Sequence, residues 1–130
     1  MVKSYTKTIF HLRKYYQFLT QNFDQSKNYP LTLFLLGIGE RGDDNELQLK
    51  YIDKVFLYSQ NYSDFPSVVI FPQAPLSDNW SSRILTDNEI RQVFQKDATP
   101  TNSLQLVIKL MDSLVKEDFI DNKRVYLSGL

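Results

Sequence analysis

The sequence has 130 residues, 42% of them apolar and 23% charged, which suits one folded domain with a core of its own rather than a disordered tail. The 15 Lys and Arg balance the 15 Asp and Glu without forming a basic stripe, which argues against nucleic acid as a partner. With no Cys and a single His, disulfides and thiolate chemistry are excluded; no stretch has the apolar length of a signal peptide or a membrane span, so a cytoplasmic location without membrane contact is expected.

Residues Thr8 to Thr20 (TIFHLRKYYQFLT) are rich in β-branched and aromatic side chains and predict two short strands of an antiparallel hairpin. The apolar run Leu31 to Leu36, closed by Gly37, predicts a strand buried on both faces, as in a parallel sheet covered by helices. Beyond GIGERGDD, the spacing of Leu47, Tyr51, Ile52, Val55 and Phe56 predicts a helix, with Asn45 and Gln48 resembling its N-terminal cap. Ser67 to Phe71 predicts a second buried strand, ended by Pro72 and followed by the loop Gln73 to Ser82. Asp87 to Gln95 predicts a short helix on the apolar residues Ile90, Val93 and Phe94.

From Asn102 to Glu117, Leu104, Val107, Ile108, Met111, Leu114 and Val115 share one helical face. A turn at Asp121–Asn122 then leads into Arg124 to Ser128, which predicts a third strand. This alternation of strands and helices implies an α/β fold with mainly parallel central strands, in a single domain over residues 1–130.

Ligands of open α/β sheets bind beyond the carboxyl ends of the strands, which singles out Gly37 to Asn45, Pro72 to Trp80, and Gly129 onward. Glycines at positions 37 and 39 leave backbone N–H groups able to face an oxygen anion, and they equally suit plain turn chemistry. The carboxylates Glu40, Asp43 and Asp44 read either as a cation site or, more simply, as helix capping beside Arg41. Gln73 reads as a strand-end cap and Trp80 as a packing residue. His11 falls in a predicted hairpin strand and reads as a surface or half-buried His rather than a base. No cofactor or metal site is expected.

Three strings in order, LFLLGIGERGDDNELQL, VVIFPQAPLSDNW and LVIKLMDSLVKEDFIDNKRVYLSGL, resemble successive blocks of the bacterial carboxylesterase and predicted-peptidase branch of the α/β-hydrolase superfamily, related to dienelactone hydrolases and phospholipase/carboxylesterases. The resemblance runs from Tyr29 to Leu130. It implies the N-terminal half of a three-layer α/β-hydrolase sandwich, with Gly37, Ile38 and Gly39 in the oxyanion loop. Glu40, Arg41, Asp43, Asp44 and Asn45 would hold that loop, with Arg41 in an ion pair, and Gln73 and Trp80 would line the acyl or alcohol side of the pocket.

Two departures follow. Leu36 stands where the family carries a His that braces the oxyanion loop, and the G-x-S-x-G nucleophile elbow begins at Gly129 with its Ser not reached. Nucleophile, acid and His are therefore expected to be missing, as in a natural fragment, a frameshifted reading frame or a boundary set by cloning of a carboxylic ester hydrolase, inactive by itself. The alternative is a non-catalytic small-ligand-binding or interaction protein that reuses the half-fold. In either case the edge of strand Arg124 to Ser128 is expected to pair, with a second copy or with a complementing C-terminal half.

Overall fold

The structure, a computed structural model, describes residues 5–10, 13–19, 22–50, 66–81, 84–86, 89–91 and 97–129. Its strands are β1 (Tyr5–Phe10), β2 (Arg13–Phe18), β3 (Tyr29–Leu35), β4 (Val68–Pro72), β5 (Ile84–Thr86), β6 (Glu89–Arg91) and β7 (Ile120–Gly129). Five of them form one sheet in the order β1-β2-β4-β3-β7. β4, β3 and β7 run parallel, with β7 at the end of this order. β2 joins β4 antiparallel and β1 pairs antiparallel with β2.

β3 and β4 consist almost wholly of aliphatic and aromatic residues, so both of their faces seek cover. Leu31, Leu33, Val68 and Ile70 are buried on one face. Phe34, Val69 and Phe71 are buried on the other, where the Phe34 and Phe71 rings lie 5.7 Å apart. A sheet buried on both faces is the middle layer of a three-layer α/β arrangement.

One helix, α1 (Asn102–Leu114), covers the first face. Its residues Val107, Leu110 and Leu114 recur at three- and four-residue spacing and join Leu31, Leu33, Val68 and Ile70 in one cluster. Thr101 caps it, its hydroxyl accepting from the Leu104 N–H at 3.2 Å. The helix stops short of Glu117 because the chain tightens: the N–H groups of Lys116 and Glu117 reach back only three residues, to the carbonyls of Ser113 and Leu114. The buried stripe also sits off the expected one, with Leu110 inside and Ile108 46% exposed.

Other expectations are corrected. Glu89–Arg91, read from sequence as helix, is strand β6, paired with β5 through Thr86 and Glu89; three apolar residues in nine are too few to bury a helix, and β-branched Ile84, Thr86 and Ile90 favour strand. Asp121–Asn122 lie inside β7 rather than in a turn before it. They form part of a bulge, since β3 advances from Tyr29 to Leu31 while β7 advances from Ile120 to Val125. Asp121 shapes the bulge by accepting from the Lys123 N–H and pairing with the Arg124 guanidinium at 2.7 Å. Of the helix expected from Leu47 onward, Leu47–Leu49 is a single 3-10 turn, and residues 51–65 lie outside the described residues. Among the described residues, no helix is long and apolar enough to cross a membrane.

Candidate functional site

The chain leaves β3 at Leu35 and enters a loop that is clamped from one side by the chain leaving β4. Gln73, buried just past the end of β4, does most of the clamping: its Oε1 accepts from the Asn45 N–H at 2.7 Å, and its Nε2 donates to the Glu40 carbonyl at 3.2 Å and to Asp44 Oδ1 at 2.9 Å. The Gly42 N–H donates to the Ala74 carbonyl at 2.9 Å. A Cβ at Gly42 would lie 3.1 Å from Gln73 Nε2, so a small residue is needed for the two segments to meet.

Asp44 ends the loop. Its Oδ1 accepts from the N–H groups of Glu46 and Leu47 as well as from Gln73, which makes Asp44, rather than Asn45, the residue that caps the following turn. The Glu46 N–H and then the Gln73 amide hold its carboxyl below the ordinary carboxylate range. Asn45 instead takes the left-handed conformation, at φ 57°, which Asn tolerates better than most residues. Its buried side chain accepts from Gln48 Nε2. The sequence pairing of Asn45 with Gln48 is thus real, but it is a side-chain contact and not a cap. Glu40, Asp43 and Asp44 do not converge: among the described residues no group of three or more such side chains could hold a metal ion.

Arg41 departs from the expected ion pair. Its Nε donates to the Ile38 carbonyl at 3.0 Å, and its Nη1 donates to the carbonyls of Leu76 and Asp78 at 3.1 and 3.3 Å. Asp78 in turn anchors the second loop to α1, accepting from the Ser103 N–H at 2.8 Å. Trp80 donates its indole N–H to the Leu36 carbonyl at 2.9 Å. With an aliphatic residue at position 36, Trp80 braces this end of β3.

These bonds frame a cavity of about 440 Å³ at the carboxyl ends of β3 and β7. Leu36, Gly37, Ile38, Arg41 and Trp80 form one side of it and Leu127 to Gly129 another. The strands approach closely at Gly129, where a Cβ would lie 2.7 Å from the Leu35 carbonyl oxygen, so a side chain there would push β7 away from β3. Near Gly39 a Cβ would meet nothing within 4 Å, so the backbone is open on that side.

The structure therefore brings Gly37, Ile38, Arg41 and Trp80 to one cavity, while Glu40, Asn45 and Gln73 stand behind its wall and hold the loop in place. Asn79, Ser81, Leu127 and Ser128 also line it. Their signal in the sequence was positional only, at the carboxyl ends of strands. His11 and Leu130 lie outside the described residues.

No protein-family model matches the sequence, and no curated protein matches it. Among solved structures, the chain is similar to a thermostable esterase, with a TM-score of 0.70 and 32% sequence identity over 99% of its length. It spans 34% of that esterase's chain, about a third of its length. The three parallel strands and the helix that covers one face of them thus match part of an esterase-type α/β fold.

Proposed function

We propose that residues 1–130 supply the oxyanion-loop and pocket side of a serine-type ester-hydrolase site, and that by themselves they do not hydrolyse esters. The observation that carries this reading is the cavity between the Gly37–Ile38 loop and Gly129, at the carboxyl ends of adjacent parallel strands. The likeness to an esterase supports ester chemistry at that place.

In acyl transfer a nucleophile attacks the ester carbonyl, and the oxygen gains negative charge that fixed N–H donors stabilise. The backbone of Gly37 and Ile38, which line the cavity while Gly39 does not, is the segment suited to that task, held by Gln73 and Gly42 from behind. Leu36, Trp80 and Leu127 give the apolar walls that an acyl or alcohol group would contact.

The proton-transfer partner is what these residues lack. Ser128 lines the cavity, but the chain has one imidazole, His11. The strands on either side of His11, β1 and β2, lie at the far margin of the sheet from β7. A serine hydroxyl without a base is a weak nucleophile at neutral pH.

Trp80, the sole tryptophan, makes the test direct. The purified chain is expected to release no p-nitrophenol from p-nitrophenyl butyrate above the buffer rate, while ethyl butyrate changes Trp80 emission in a saturable way. Turnover that survives repurification would overturn the claim of inactivity. Emission indifferent to the ester would overturn the assignment of the cavity as an acyl pocket.

A further inference from the structure

Among the described residues that line the cavity, Arg41 is the only charged one; the rest are aliphatic, Gly, Trp, Asn or Ser. Its guanidinium is positioned by three carbonyl oxygens, through Nε and Nη1. Among the described residues, Nη2 has no hydrogen-bond partner and the group forms no ion pair, in contrast to Arg124, which is neutralised by Asp121 at 2.7 Å.

Carbonyl dipoles fix the plane of the fork without cancelling its charge. A half-buried cation beside apolar walls stabilises an anion brought next to it more than the same cation would in open water. With Nε and Nη1 committed to these carbonyls, Nη2 keeps two N–H donors that can reach a carboxylate oxygen. The neighbouring walls are apolar: Leu36 and Trp80 line the cavity, and Ile38 and Leu127, at its rim, are 45% and 71% exposed. The cavity thus offers apolar contact for one part of a ligand and a fixed positive charge for another.

We propose that Arg41 is a specificity-determining residue that selects acyl ligands carrying a carboxylate, such as half-esters of short dicarboxylic acids. This rests on the reading of the cavity as an acyl pocket and adds the class of ligand to it. A role confined to clamping the loop would leave neutral and anionic esters bound alike.

The test compares monoethyl succinate with diethyl succinate, both followed by Trp80 emission of the 130-residue chain at neutral pH. The half-ester is expected to bind about tenfold more tightly at low salt, the gain from one partly exposed charge-assisted contact. That preference should shrink as salt is raised. Arg41→Gln should bind the two ligands equally, and Arg41→Lys should keep part of the preference, since it retains the charge and loses the fork.

Binding of the diester by Arg41→Gln serves as the check that its cavity is intact. Should that variant fail to fold, the salt dependence of the native chain decides alone. If the diester binds and the half-ester gains nothing, or if Arg41→Gln keeps the preference, the Arg41 inference falls and the acyl pocket stands. If neither ligand binds, both fall together.

Discussion

β3 and β7 are parallel neighbours, in register from Leu31 opposite Val125 to Leu35 opposite Gly129, with Leu33 facing Leu127, yet they differ in composition and in surroundings. Leu31 is fully buried and Leu127 is 71% exposed. β3 has a strand on each side, β4 and β7, whereas β7 pairs with β3 alone among the described residues. For the facing leucines Leu33 and Leu127, the first buried and the second exposed, neighbours rather than side-chain hydrophobicity set the burial. The core lies under β3 and β4, while the cavity opens where β7 leaves its side chains uncovered.

The largest expected effect tests that contrast directly. Ile70→Ala, in the fully buried part of β4, should lower unfolding stability by about 2–5 kcal/mol, whereas Leu127→Ala should stay within about 0.5 kcal/mol of the parent chain. Urea denaturation measures both. Equal losses would mean that β7 is packed in solution as firmly as its neighbours.

An intermediate effect is expected at the loop that separates core from cavity. Gln73→Ala removes three hydrogen bonds at once and leaves the buried Asn45 N–H without its acceptor, at a cost of about 1–3 kcal/mol. The same variant should weaken the response of Trp80 to ethyl butyrate, because the Gly37–Ile38 segment loses its backing. A variant as stable as the parent would show that the Gly42–Ala74 bond and Arg41 suffice to hold the loop.

The smallest effect concerns Asp44, which is exposed but accepts three hydrogen bonds. Its carboxyl titrates lower in the folded chain than in the unfolded one, because the Glu46 N–H and the Gln73 amide stabilise the carboxylate. Its contribution is therefore fully present above the unfolded value and is lost as pH falls through the folded one. Asp44→Asn should accordingly show a slightly shallower loss of melting temperature below roughly pH 4. Parallel profiles for the two chains would indicate that the Glu46 and Leu47 bonds are not maintained in solution.

Much of the site was legible from local rules. Gly37, Ile38 and Trp80 could be placed near a cavity because strand ends in an α/β chain converge there. Gln73 and Arg41 were recognisable as unusual but not in their roles. A side chain that bonds the backbone 28 and 33 residues away, as Gln73 does to Asn45 and Glu40, leaves no periodic trace. Arg41 sits among carboxylates in sequence, which suggested an ion pair, while folding turns it onto carbonyls of the second loop. The short segment Glu89–Arg91 misled for a related reason: over so few residues, strand pairing with β5 outweighs helical spacing.

The order of apolar runs and one amphipathic helix determined that this chain would build an α/β sheet with β3 and β4 at its heart, because side-chain periodicity and β-branched content act locally. The bulge at Asp121, the left-handed Asn45 and the carbonyl partners of Arg41 were decided only in three dimensions. Each depends on which distant backbone group arrives beside it, and a one-dimensional pattern carries no record of that.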